Sequence, residues 1–122
     1  MLENEVTYPH INNYLASMFE QTDPLLKEME TLAKKDHIPI IQPESAQLVK
    51  VLCCISKPER ILEIGTAIGY SSIILARSMP ANGIIDTIEI NEDMIDKAYG
   101  YIRRAGFEDK IRILHGDAAE VL

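Results

Sequence analysis

Long apolar runs are missing from this sequence. Nowhere do about 18 or more apolar residues follow one another, so no membrane-crossing helix is expected and no membrane partner. Basic residues are scarce too: 12 Lys and Arg stand against 19 Asp and Glu, a formal net charge of −7, which argues against an extended nucleic-acid surface. A tRNA substrate is not excluded by this, because a basic face could be carried by residues outside these 122. Cysteine is limited to the adjacent Cys53 and Cys54, which a disulfide could join only under strain; they read as two small thiols of a cytoplasmic protein. The opening Met1-Leu2-Glu3-Asn4-Glu5 is acidic and polar, unlike a secretory signal. His10, His37 and His115 lack ligand spacing and read as surface or satisfied core residues, and no nucleophile–base pair presents itself. Repeats, low-complexity tracts and linkers are absent. What is present, 122 residues at 47% hydrophobic composition, is enough for one small core.

The chain divides into a helical segment over 1–58 and an alternating segment over 59–122. Pro9 to Phe19 reads as a first helix, with Ile11, Leu15 and Met18 along one face. Asp23 caps a second, with Pro24 at its first position, running to about Lys35. Ile38 to Gln42 is an extended connector held by Pro39 and Pro43. Glu44 to Ile55 is a helix expected to turn Leu48, Val49, Leu52 and Ile55 inward. From Arg60 the pattern becomes strand 60–64, helix 70–78, strand 84–89, a helix from Glu92 to Ala105 capped by Asn91 and stopped by Gly106, and strand 111–115. Such alternation implies an α/β fold with a parallel sheet and right-handed crossovers. The pairs Lys34-Lys35 and Arg103-Arg104 then sit at helix carboxyl ends, where positive charge is favoured.

The richest stretch is Arg60-Ile61-Leu62-Glu63-Ile64-Gly65-Thr66-Ala67-Ile68-Gly69-Tyr70-Ser71-Ser72. An apolar strand ends in a glycine turn, and small hydroxyl residues open a helix. Gly65 and Gly69 let backbone approach a ligand, and the N–H groups of the following helix favour an anionic group. Glu89 ends the next strand, twenty residues after Gly69, where an acid in a βαβ unit takes ribose hydroxyls. A dinucleotide fingerprint needs a middle glycine for pyrophosphate, but Ala67 stands there, and Glu63 suits an ammonium better than a phosphate. A ligand with an amine, a carboxylate and a ribose fits, as S-adenosylmethionine does. Glu63, Glu89 and Asp117 fall at or just past strand ends, where such sheets bind ligands.

Glu63-Ile64-Gly65-Thr66-Ala67-Ile68-Gly69-Tyr70-Ser71 resembles the first motif of the class I S-adenosylmethionine-dependent O-methyltransferases, in the cation-dependent group that includes catechol and caffeoyl-CoA O-methyltransferases. Thr87-Ile88-Glu89 and His115-Gly116-Asp117-Ala118 match that group's later cofactor motifs in order and spacing. Ile38-Pro39-Ile40-Ile41-Gln42-Pro43-Glu44-Ser45 resembles the bacterial tRNA 5-hydroxyuridine methyltransferase branch. The resemblance implies a Rossmann-like sheet of which this chain holds the first three strands, the first half of the cofactor domain. It implies S-adenosylmethionine contacts by Ile41, Glu63, Gly65, Thr66, Gly69, Ser71, Glu89, Asp117 and Ala118: Glu63 near the amine, Ser71 at the methionine carboxylate, Glu89 on the ribose, Asp117 and Ala118 at the adenine. It also implies Mg2+, whose ligands would follow a fourth strand beyond Leu122, so no metal-binding or catalytic residue is expected here. Such enzymes run to roughly 200 residues or more.

The expected reaction is methyl transfer to a hydroxyl of a tRNA 5-hydroxyuridine or, alternatively, of a small catechol-like or caffeoyl-CoA-like phenol. The 122-residue chain alone is expected to be inactive. An NAD-dependent oxidoreductase and a non-catalytic binding module are the rivals from other classes. Strand 60–64 would pair with a fourth strand in the family's order. Its bare edge predicts a homodimer or other self-association.

Overall fold

The computed structural model describes residues 7–122, so the acidic opening residues Met1 to Glu5 lie outside the described part. Helices α1 (Pro9–Ser17), α2 (Pro24–Lys35) and α3 (Pro43–Ser56) precede β1 (Arg60–Ile64), α4 (Tyr70–Ser78), β2 (Ile84–Glu89), α5 (Glu92–Ala105), β3 (Ile111–His115) and the short α6 (Ala118–Val121). The strands form one parallel sheet in the order β1-β2-β3, with Ile61 beside Ile85 and Ile85 beside Ile111. Strand is added to strand in a single direction, so right-handed crossovers bring α4 and α5 to the same face. That face holds the core: Ile85 and Ile111 from the strands, Ile73 and Ile74 from α4, Ala98 and Ile102 from α5.

Local chemistry sets the element ends where the sequence places them. Asp23 accepts the Leu26 N–H at 2.8 Å and Asn91 the Met94 N–H at 3.2 Å, each satisfying a first-turn donor. Gly106, at φ 78°, closes α5 in the left-handed conformation that glycine adopts without strain. Helix α2 lies across α4 and α5. Asp23 meets Arg77 at 3.0 Å, Glu28 holds Arg104 by two bonds of 2.8 and 2.7 Å, and Leu26, Met29 and Ala33 enter the core. The Leu26 N–H, with Arg77 beside it, holds the Asp23 carboxyl below its usual range. A depressed carboxyl stabilises the fold above its unfolded pKa, and that contribution disappears as pH falls through the folded value. Asp23→Ala should therefore cost about 1 kcal/mol at neutral pH in urea denaturation and much less in strong acid, where the wild-type side chain is protonated as well.

Two expectations fail. The first helix ends at Ser17, short of Phe19. In α3, Leu48, Leu52 and Ile55 are exposed at 60%, 55% and 74%, while Ala46 and Cys53 are buried and Val49 is half-buried. This helix is apolar nearly all round, so periodicity could not choose a face; the smaller side chains allow close approach to α4. Cys53 and Cys54 are free thiols, and burial pushes the Cys53 thiol up.

The second sheet face is divided. At its lower end Asp86 takes Arg112 by bonds of 2.7 and 2.8 Å and Arg60 at 3.5 Å. Above these lie Leu62 and Leu114, exposed, and Ile88, which is buried beside α6. Among the described residues no strand pairs with the outer edge of β1.

Candidate cofactor site

At the carboxyl ends of the strands the chain makes two abrupt turns. Ile64 is followed by Gly65 at φ 92° and, beyond Ala67 at φ 46°, by Gly69 at φ 87°, all left-handed. The Gly65 and Thr66 N–H groups both return to the Ile88 carbonyl, at 2.8 and 3.2 Å, which folds the turn over β2. A Cβ on Gly65 would meet nothing within 4 Å, so this position faces open space. At Gly69 the same atom would lie 3.5 Å from Ala98 and Ile102. The two glycines thus differ: Gly65 lies open to an incoming ligand, and Gly69 serves the turn and the packing of α5.

The hydroxyls around this turn point inward. Glu63 accepts Ser71 Oγ at 2.7 Å on Oε2, and Thr87 Oγ1 at 2.7 Å together with Ser72 Oγ on Oε1. Thr87 has spent its hydrogen, so Thr66 donates to Thr87 across 2.8 Å. Thr66, Ser72 and Thr87 are all buried. Of the roughly four acceptor positions on the Glu63 carboxylate, three are taken by hydroxyls, leaving one on Oε2 for an ammonium. The Ser71 hydroxyl that the resemblance turns towards a carboxylate is donated to Glu63. With its hydroxyl donated to Thr87 and its N–H to the Ile88 carbonyl, Thr66 keeps no donor for a ligand. Sequence reasoning gave Ser72 and Thr87 no role, although both stand within motifs it singled out; the sheet register is what sets Thr87 opposite Glu63 on the neighbouring strand.

Glu89 ends β2 and turns back. Its Oε2 accepts the Ala67 N–H at 2.8 Å, and its Oε1 the Ile90 and Asn91 N–H groups at 3.0 Å each. Across from it, Asp117 caps α6 through the Ala119 N–H at 2.8 Å, just after Gly116 at φ 155°. A cleft of about 190 Å³ opens here between Ile64, Gly65, Ile88, Glu89, Ile90, Gly116, Asp117 and Ala118. Enclosing ligand pockets run to about 300–1,000 Å³, so this cleft is sized for one end of a ligand. A larger hollow of about 780 Å³ lies at the opposite end of the sheet, between Met79, Gly83, Ile84, Phe107 and Lys110, and holds none of the candidate residues.

Of the nine residues expected at the cofactor, Gly65, Glu89, Asp117 and Ala118 line this cleft. Glu63, Thr66, Gly69 and Ser71 build the adjoining turn and the start of α4, and Ile41 is partly buried against the core. No side chain caps α4, so its first-turn N–H groups remain available to an anion. Among the described residues no three or more His, Cys, Asp or Glu side chains gather in a way that could hold a metal ion. No helix of the described residues is long and apolar enough to cross a membrane.

Comparison with known proteins agrees on one family. The family profile described as O-methyltransferase matches residues 16–122. A catechol O-methyltransferase of Niastella koreensis is 29% identical over 121 residues, 98% of this chain and 55% of that protein. A caffeoyl-CoA O-methyltransferase of Stellaria longipes is 27% identical over 100% of this chain and 51% of its own length. The crystal structure of an O-methyltransferase from Bacillus cereus in complex with SAH superimposes with a TM-score of 0.80 at 29% identity, over 92% of this chain and 52% of that one. The chain spans about half the length of the relatives it matches.

Proposed function

This chain belongs to the O-methyltransferase family, and on that premise we propose that it forms the S-adenosylmethionine-binding half of an O-methyltransferase. The observation that carries this reading is the cleft lined by Gly65, Glu89, Asp117 and Ala118 beside the uncapped first turn of α4. In this reading Glu89 takes the ribose hydroxyls, and Asp117 and the Ala118 backbone meet the adenine. The first-turn N–H groups of α4, with Ser71 beside them, receive the methionine carboxylate. The remaining Oε2 position of Glu63 faces the ammonium, and Ile41 packs along the ligand. When bound, S-adenosylmethionine supplies a sulfonium methyl for transfer to an acceptor hydroxyl. The work of the protein is then position and electrostatics. Mg2+, implied by the resemblance, finds no fitting donor set among the described residues, and no step is assigned to it.

For the acceptor, relatives named catechol and caffeoyl-CoA O-methyltransferase support a small phenolic hydroxyl, and a net charge of −7 offers little to a tRNA backbone. A tRNA 5-hydroxyuridine rests on the connector 38–45 alone and stands second. Calorimetric titration of the chain with S-adenosylmethionine, S-adenosylhomocysteine and NAD tests the cofactor assignment. Micromolar binding of the first two and none of NAD is expected; the reverse order would return the chain to the oxidoreductases.

The homodimer reading concerns the 122-residue chain itself. Exposed Leu62 and Ile64 on β1, the bare outer edge of that strand, and exposed Leu48, Leu52 and Ile55 on α3 support pairing with a second copy. Light scattering after size exclusion should give a mass at least twice that of the chain, and a lysine at Ile64 should lower it. A monomer at high concentration would refute the pairing.

A further inference from the structure

We propose that Tyr70 is a positioning residue: through Glu30 it fixes the first turn of α4 from the side, so that the N–H groups of that turn stay free for a ligand carboxylate. The inference deepens the S-adenosylmethionine reading and rests on it.

A helix start is ordinarily fixed by a side chain that accepts its first N–H groups, and the donors are then spent. Helix α4 has Gly69 at that position, with no side chain to offer. Its first turn is held by outward bonds from three hydroxyls. Ser71 and Ser72 donate to Glu63 at the end of β1, and Tyr70 donates to Glu30 on α2. All three bonds leave the backbone donors unused. Glu30 is itself anchored, for Gln21 Nε2 donates to it at 3.4 Å while Gln21 Oε1 accepts the N–H of Asp23 at 3.1 Å. Asp23 meets Arg77, two turns further along α4 than Tyr70. Helix α2 therefore grips α4 at two points, which sets both its tilt and its position along the axis.

Tyr70 is only 4% exposed. Burial, followed by the hydrogen bond to Glu30, pushes its hydroxyl well above the usual tyrosine value, so it remains a donor at every working pH. The bond joins residues 40 apart in sequence and ties the helical segment to the glycine turn.

The test uses the whole chain and two ligands, S-adenosylhomocysteine and 5′-methylthioadenosine, which keeps the adenosine and lacks the amino-acid carboxylate. Tyr70→Phe keeps the ring and should weaken S-adenosylhomocysteine by about tenfold, the worth of one hydrogen bond, with methylthioadenosine unchanged. Glu30→Gln, which keeps an acceptor, should stay within about twofold of wild type, and Glu30→Ala should match Tyr70→Phe. Equal weakening of both ligands, or of neither, overturns the proposal, because a merely structural role would not distinguish them. If the wild type binds neither ligand, the cofactor reading falls. Hydrogen exchange over 73–76, the first hydrogen-bonded N–H groups of α4, then decides the anchor: faster exchange in Tyr70→Phe supports it, and unchanged exchange overturns it.

Discussion

Glu63→Ala is expected to lower the stability of the fold by about 3 kcal/mol, a large share of the roughly 5–15 kcal/mol that holds a domain together. The loss arises from what the carboxylate leaves behind. Ser72 and Thr87 are fully buried, and both donate to Glu63 Oε1. Removing the acceptor strands the Ser72 hydroxyl and leaves Thr87 with Thr66 as its remaining partner. Hydrogen bonds to a charged group are worth about 1.5–3 kcal/mol each, and an orphaned buried donor adds its own desolvation cost. Glu63→Gln should lose about half as much, because one oxygen still accepts and Ser71 can reverse to accept from the new amide. Thr87→Val removes one donor to Glu63 and also the acceptor of the buried Thr66 hydroxyl, and should cost about 2 kcal/mol. Urea midpoints at constant slope measure all three. Should Glu63→Ala keep wild-type stability and only cofactor affinity fall, Glu63 would be a ligand-facing acid, and the hydroxyl cluster would contribute nothing to the fold.

That contest between scaffold and ligand could not be decided from the sequence, for a physical reason. The elements themselves were legible because the punctuation is strong. Pro24, Asn91 and Gly106 mark helix ends by local chemistry, and strands 60–64, 84–89 and 111–115 carry apolar runs of strand length. The rim residues Glu89 and Asp117 followed from topology, since parallel strands deliver their carboxyl ends to one side, whereas Gly65 came from the glycine turn and Ala118 from the family resemblance. Side-chain direction is another matter. The partners of Glu63 come from its own following helix and from a residue 24 positions away on β2, and Tyr70 reaches 40 positions back. No spacing rule announces such pairs; they exist only once the sheet is assembled. The inward face of α3 was misread for the related reason that an all-round apolar helix turns whichever side its neighbour can approach.

Glu89→Ala should abolish most cofactor affinity, by about 100-fold, through loss of a hydrogen bond to the one acceptor position that its three backbone N–H partners leave open on this charged group. It should also cost the free protein about 1–2 kcal/mol, because the carboxylate already has work to do. Its Oε2 holds the N–H of Ala67, a residue with a Cβ kept at φ 46°, and its Oε1 gathers the Ile90 and Asn91 N–H groups. The left-handed conformation costs an ordinary residue roughly 1–2 kcal/mol, so this bond helps to keep the turn in shape before any ligand arrives. Two roles in one side chain make the plain alanine result ambiguous, and the ligand can separate them. S-adenosylhomocysteine lacking both ribose hydroxyls should bind the wild type about 100-fold more weakly than the parent, and the Glu89→Ala protein no more weakly than the parent does. Strong coupling between the two deletions means that the carboxylate and the hydroxyls touch. Additive losses mean instead that Glu89 acts only on the turn and that the ribose is held elsewhere. Circular dichroism before each titration establishes that the variant is folded, so a lost turn cannot be mistaken for a lost contact.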